Sequence, residues 1–246
     1  RKSLEGVGLL HYRLNPEYVS KILEAIEQFE GVFEQVNLKT KDIIPLLEYW
    51  LAYLRKRSVV SPLEGHGDLR NPYFWPRNRP YTFTKDITNQ AISVTSWMGA
   101  GNRHNGRTDY LERLWSSRGI AFDFKSANDA LNYIFLFLNQ VQEATDIIFW
   151  KDQSLDKLWE SSKLGKAHQL DSQLWVLSSQ PPPDSELYGW YRCDFCGNLS
   201  GINYENICPS YRCTGNLDRV DPLASGQADY YQRLYRSEKR FPIHIA

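Results

Sequence analysis

The chain has 246 residues, 42% of them apolar, and its 29 lysines and arginines balance 29 aspartates and glutamates. That length and apolar fraction support a real core, in one large domain or two small ones, and exclude a disordered chain. Zero net charge gives no global attraction to nucleic acid or membrane, and no apolar run approaches the ~18 residues of a membrane span, so the expectation is a soluble, cytoplasmic protein without a membrane partner.

Residues 1–58 read as a helical hairpin. Asn15-Pro16 is a cap followed by proline at the first helical position, and Val19, Ile22, Leu23, Ile26 and Phe29 recur at the 3.6-residue period until Gly31. A second helix is expected from Asp42 to Arg57, with Pro45 in its first turn and Ile43, Leu46, Leu47, Trp50, Leu51 and Leu54 on its apolar stripe. Acidic side chains from Glu17 to Glu48 outnumber the lysines between them, which is most simply a solvated helix face.

Residues 59–184 read as a loop-rich basic segment followed by a three-helix region. Pro62, Pro72, Pro76 and Pro80 punctuate a stretch in which Arg77, Arg79, Arg103 and Arg107 lie near Tyr73, Phe74, Trp75 and Tyr81. Arginine beside aromatic rings suits a surface that tracks phosphates and stacks bases; a loop pinned to a domain by its aromatics is the competing reading. Thr108, Ser126 and Ser154 are then positioned to cap three helices carrying Leu111 and Trp115, Leu131 to Val141, and Leu155 to Trp159. Strands at Leu174–Leu177 and Leu187–Tyr191 follow, flanking a proline hinge. Three helices and a hairpin outline a winged helix, against the simpler alternative of a structural helical bundle. The expected fold class is therefore α+β and predominantly helical: a helical bundle with a winged-helix-like part, followed by a small four-cysteine zinc ribbon.

Residues 185–246 hold all four cysteines, as Cys193-x2-Cys196 and Cys208-x4-Cys213. Two close pairs separated by a short loop can each present two thiolates to one tetrahedral Zn²⁺, and Gly197 and Gly215 sit where tight turns need them. Two disulfides or four unrelated buried thiols are the other readings. Four protein ligands leave no open coordination position, so the zinc is expected to be structural. Short strands at Leu199–Ile202 and Asn206–Ile207 would join the ligand turns. A last helix, Gln227 to Arg236, would carry Tyr230, Tyr231 and Tyr235 beside Arg233 and Arg236, and Phe241–Ala246 reads as a strand. With Arg1 in first place and that strand in last, the chain is expected to be a piece of a longer protein.

Catalytic motifs are missing. There is no phosphate-binding G-x-x-x-x-G-K-[ST], no H-E-x-x-H and no G-x-S-x-G, and His11, His66, His104, His168 and His244 are isolated in sequence. Of these, His104 between Arg103 and Arg107 is the first to test. No catalysis is expected from this segment alone.

The run Trp190-Tyr-Arg-Cys193-Asp-Phe-Cys196-Gly, then Ile207-Cys208-Pro, Cys213-Thr-Gly-Asn-Leu217, Asp229-Tyr-Tyr-Gln-Arg-Leu-Tyr235 and Phe241-Pro-Ile-His-Ile-Ala246, resembles a cassette of large DEAD/DEAH-box superfamily 2 helicases. These are of the Druantia antiphage and related bacterial defence or repair type. The resemblance implies that Cys193, Cys196, Cys208 and Cys213 are zinc ligands in a ribbon leading into the second RecA-like motor domain. It also implies that DNA and the flanking motor domains are the partners, and that ATP and Mg²⁺ bind only on those domains, outside this chain. Arg77, Arg79, Arg103, Arg107, Arg233 and Arg236 are the candidates for DNA backbone contact. A structural protein-interaction module with no nucleic-acid role is the second hypothesis, and a nuclease using ungrouped carboxylates the third.

Overall fold

Asn15 opens the first helix as its chemistry dictates. Its side chain accepts a hydrogen bond from the Glu17 amide at 3.1 Å, and Pro16, which has no amide hydrogen to satisfy, takes the first helical position of α1 (Pro16–Glu27). The computed structural model describes residues 8, 10–28, 31–56, 82–86, 95–99, 102–153, 167–179 and 185–221. The expected segment 59–81, the helix at Ser154, the helix 227–236 and the strand 241–246 lie outside the described residues.

Helix α2 (Ile43–Lys56) follows a 3-10 turn at Thr40–Asp42, and it buries Leu46, Leu47, Trp50, Leu51 and Leu54. Pro45 sits in its first turn, where no intrahelical amide is lost. Helix α3 (Gly106–Ser117) is capped by Asn105, which accepts from the amides of Arg107 and Thr108 while the Thr108 hydroxyl accepts from the Asn105 amide. Helix α4 (Phe124–Ala144) is capped by Asp123, which accepts from the Ser126 amide at 2.8 Å. The last two caps thus stand three residues before Thr108 and Ser126. Helix α1 packs on α4, and α2 on α3.

Nine strands accompany these helices among the described residues: β1 (His11–Leu14), β2 (Phe83–Thr84), β3 (Thr95–Ser96), β4 (Trp150–Gln153), β5 (Ala167–Leu170), β6 (Trp175–Ser178), β7 (Tyr188–Cys193), β8 (Leu199–Ile202) and β9 (Leu217–Arg219). They form a two-stranded β1-β6 sheet, a four-stranded sheet in the order β3-β2-β5-β4 and a three-stranded sheet in the order β8-β7-β9. The chain divides into two units, residues 14–176 on the one hand and residues 1–13 with 177–246 on the other.

Aromatic packing fills the first unit. Trp97 lies edge-on to Trp50 at 6.0 Å and contacts Phe135 and Trp150, and Phe135 stacks on Trp150 at 4.8 Å. Two of the indole edges are satisfied: Trp97 Nε1 donates to the Leu131 carbonyl at 2.7 Å, and Trp150 Nε1 donates to Asn139 Oδ1 at 3.1 Å. Gln142 completes the clamp, accepting from the Trp150 amide and donating to its carbonyl. Between α2 and α3, buried Asp42 takes both nitrogens of the Arg118 fork, at 2.6 and 2.9 Å.

These sheets correct the expected predominantly helical bundle. Of the described residues 44% are helical and 22% are in strands, a mixed α/β arrangement of four helices and three sheets. The winged-helix-like part fails at its hairpin, because β6 pairs with β1 while β7 pairs with β8 and β9. The physical reason is visible in Trp150-Lys-Asp-Gln153 and Ala167-His-Gln-Leu170. Neither shows a two-residue alternation, yet they pair antiparallel from Trp150↔Leu170 to Gln153↔Ala167 because each supplies the other's hydrogen bonds.

Candidate metal centre

The ribbon is built on β7, the central strand of its sheet, which ends at Cys193. β9 pairs with it from Tyr191↔Arg219 to Cys193↔Leu217, and β8 pairs from Tyr188↔Ile202 to Arg192↔Leu199 with an irregularity between Tyr188 and Tyr191. The first ligand turn leaves β7 and comes back within five residues. The Gly197 amide donates to the Cys193 carbonyl at 3.0 Å, and the Cys193 amide donates to that of Asn198. Gly197 has φ +67°, a left-handed conformation in which a side chain is strained. The second turn closes where the Cys213 amide donates to the Ser210 carbonyl at 3.1 Å, with Arg212 left-handed at φ 57°.

Asp194 ties the two turns together. Its amide donates to the Asn216 carbonyl at 3.0 Å, and its carboxylate accepts from the Asn216 amide at 2.8 Å. Gly215 passes so close to the first turn that a Cβ built on it would lie 2.5 Å from Cys193 Sγ, Phe195 Cβ and Asp194 Oδ1. Its requirement is therefore space and not a positive φ. The expected strand at Asn206–Ile207 is a single bridge, Ile207 to Asn216.

Four sulfurs converge at this place. The Sγ atoms of Cys193, Cys196, Cys208 and Cys213 all lie within 4.8 Å of one another, and Cys193–Cys213 and Cys196–Cys208 are 3.5 and 3.6 Å apart. A tetrahedron of thiolates around a metal at about 2.3 Å has edges of about 3.8 Å, so the set could hold a metal ion. A disulfide needs about 2.05 Å, and none of the four cysteines is in one. Cys193, Cys208 and Cys213 are buried, and Cys196 is exposed.

Each sulfur also has a backbone amide. The Cys196 amide approaches Cys193 Sγ and the Ser210 amide approaches Cys208 Sγ, both at 3.5 Å, while Cys196 and Cys213 accept from Asn198 and Gly215. Such donors stabilise thiolate over thiol. Burial pushes the Cys208 thiol far above its ordinary value, against hydrogen bonds from the Ser210 hydroxyl and amide, and burial also raises Cys213. At Cys196 burial likewise raises the pKa, but the Asn198 amide and the Ser210 hydroxyl outweigh it and leave the thiol at about 7. Four negative sulfurs this close repel one another, so a cation is what makes the fully ionised set compatible.

The arginines are placed differently. Arg107 is buried, with Nε donating to the Trp97 carbonyl at 2.8 Å, Nη2 donating to the Ser96 carbonyl, and its guanidinium over the rings of Tyr53 and Trp97. That corrects its place among the phosphate-contact candidates: it holds the loop of β3 against the core. Arg103 is exposed, and Arg77, Arg79, Arg233 and Arg236 lie outside the described residues. His104 packs on Phe122 and Phe124, with Nε2 3.5 Å from Glu112.

Nothing in the residue pattern signals the Asp194–Asn216 tie or the Ser210 hydroxyl beside Cys196 Sγ, because each depends on two turns meeting. Nor does it signal a cleft of about 760 Å³ in the unit of residues 14–176, lined by Lys85, Leu136, Glu143, Lys151, Asp152 and His168 among others. There, Asp152 and His168 face each other across β4 and β5 at 3.0 Å. His168 is packed against Phe83, Phe135 and Trp150, which makes it part of the aromatic core. No helix among the described residues is long and apolar enough to cross a membrane. No family model, curated protein or solved structure matches the chain.

Proposed function

We propose that Cys193, Cys196, Cys208 and Cys213 hold a structural Zn²⁺, and that the chain is a non-catalytic accessory module of an ATP-dependent DNA helicase. In this reading it guides DNA or couples flanking RecA-like motor domains, in antiphage defence or DNA repair, and ATP and Mg²⁺ belong to those domains. The observation that carries the metal is the convergence of four sulfurs, each with an amide donor. A set of four thiolates fills all four positions of tetrahedral zinc, so the ion would staple the two turns and would leave no site for a reactive water. The helicase part rests on the resemblance around the cysteines, and the DNA part on Arg77, Arg79, Arg103, Arg233 and Arg236.

Two measurements test the two parts separately. Elemental analysis of the purified chain should find one zinc per molecule; a metal-free chain with a folded ribbon would refute the staple. Replacing those five arginines by glutamine should flatten the dependence of DNA affinity on salt, by about 0.7–0.9 in log K against log salt for each phosphate no longer neutralised. An unchanged slope removes DNA binding from the reading.

A second reading, a protein-interaction module without a nucleic-acid role, is favoured by one specific observation. Between Glu17 and Glu48 the sequence carries seven carboxylates against three lysines. Charge of that sign repels a phosphate backbone.

A further inference from the structure

Of the four cysteines in the ribbon, one is open to solvent. Cys193, Cys208 and Cys213 are 2%, 0% and 4% exposed, whereas Cys196 is exposed. The second turn closes over the first: Gly215 passes so near Cys193 Sγ that a Cβ there would stand 2.5 Å from it, which leaves no room for a reagent on that side. The reaction of a cysteine with a small oxidant depends on access to its sulfur, so a cluster of this shape has one point of entry.

The meeting of the two turns supplies a partner for the open sulfur. Cys196 Sγ lies 3.6 Å from Cys208 Sγ, which belongs to the other turn. A disulfide is about 2.05 Å long, so closure needs an approach of about 1.5 Å, within the reach of side-chain rotation on two turns. Cys193 and Cys213 form a second short pair at 3.5 Å, but both are buried. The Ser210 hydroxyl stands 3.6 Å from Cys196 Sγ, where it can hydrogen-bond an oxygen placed on that sulfur.

We propose that Cys196 is a modification site for hydrogen peroxide, and that Cys208 resolves its sulfenic acid into a reversible disulfide joining the two turns. In the first step the Cys196 sulfur attacks one peroxide oxygen: the O–O bond breaks, an S–O bond forms and water leaves, so that sulfur is oxidised and peroxide reduced by two electrons. In the second, the Cys208 sulfur attacks the sulfenic sulfur; the S–O bond breaks, the S–S bond forms, and the hydroxyl leaves with the Cys208 proton as a second water. Two thiols and one H₂O₂ thus give one disulfide and two waters. The proposal rests on the sulfur cluster of the preceding reading and on neither its zinc nor its helicase and DNA parts. If the cluster holds zinc, the same two sulfurs react as thiolates, two hydroxides replace the two waters, and the ion loses two of its four ligands.

The test uses the purified full chain without substitutions, its metal content read first by elemental analysis. It is treated with hydrogen peroxide in the presence or absence of dimedone, which traps sulfenic acids. Cleavage by trypsin and a glutamate-specific protease places Cys193 and Cys196 in peptide 193–205, Cys208 in 206–212 and Cys213 in 213–219, and fragment mass spectra then read each sulfur. Dimedone should mark Cys196 ahead of the other three by about tenfold, as expected of an exposed thiol against buried ones. Without dimedone, Cys196 should be linked to Cys208, and a dithiol should undo the link. Even labelling of the four, labelling led by another cysteine, a Cys193–Cys196 link, or thiols that outlast an equal concentration of glutathione would each overturn the proposal. A metal-free chain that forms the Cys196–Cys208 link would sink the zinc reading and leave the modification site standing. A zinc-bearing chain whose thiols resist peroxide would do the opposite.

Discussion

The unit of residues 14–176 and the cysteine ribbon are stabilised by opposite means. The first buries Trp50, Trp97, Trp115 and Trp150 completely, with the helices and the four-stranded sheet around them. The ribbon has a cluster of five buried residues, three of which are cysteines. Burial of apolar area drives the first, at about 25 cal/mol for each Å² removed from water. So small a cluster cannot offset the ordering of some forty residues on that scale, and a metal bond is the interaction strong enough to replace the missing core. A large unit tolerates a local defect because its neighbours share it; a ribbon held by one ion would not.

The widest separation between the two should come from the metal. Cys208→Ser, or a strong chelator, is expected to unfold the ribbon outright, since structural zinc contributes on the order of 10 kcal/mol to small metal-dependent folds. Amide dispersion for residues 185–221 should collapse while the helical circular dichroism of the other unit stays. Loss of that helical signal would mean the two do not depend on different forces. The reverse experiment is Trp97→Ala. Removing a ring that touches Trp50, Phe83, Phe135 and Trp150 should lower the urea stability of the helical unit by about 3–5 kcal/mol, with metal stoichiometry unaffected.

Gly215→Ala sharpens the contrast inside the ribbon. The added methyl meets Cys193 Sγ and Phe195 Cβ at 2.5 Å, and forcing an atom into a filled site costs about 1–3 kcal/mol. Competition with a chelator should show metal affinity lowered roughly 5- to 150-fold. The same change at Gly201, where the nearest side-chain atom is His11 Cβ at 3.4 Å, should cost far less.

The smallest effect belongs to the cap of α4. The Asp123 carboxyl is held below its ordinary value by hydrogen bonds from the Ser126 hydroxyl and then from the Ser126 amide. A lowered folded pKa contributes stability that is present above the unfolded value near 4 and is lost as pH falls through the folded one. Thermal melts of the helical unit should therefore decline slightly more steeply below pH 4 than those of Asp123→Asn, while the two agree in slope at neutral pH. Identical acid limbs would remove the cap from the account.

What could be read from the residues follows the range of the interactions. The start of α1 is legible because Asn15 and Pro16 act on the amide two residues away, and α2 because its stripe repeats within one helix. The caps of α3 and α4 stand three residues earlier than expected, since Thr108 and Ser126 are capable oxygens and only the backbone geometry chooses Asn105 and Asp123. Strands β2 to β5 are not legible, being short and without alternation, and neither is the burial of Arg107. An arginine beside glycines reads as exposed, yet its fork fits the carbonyls of Ser96 and Trp97 at the end of β3 and its guanidinium lies over the Trp97 ring.

At the candidate site the division is the same. The ligand set follows from the residues alone, because four cysteines in two close pairs need no distant partner to suggest one ion, and so do the positions where a glycine is required. Tertiary structure was needed to bring the sulfurs within 4.8 Å, to join the two turns through Asp194 and Asn216, and to bury every cysteine but Cys196. It also chose which strands pair. Side-chain chemistry and short spacings are properties of the chain, whereas hydrogen bonds between strands, burial and the meeting of two turns depend on residues far apart in sequence.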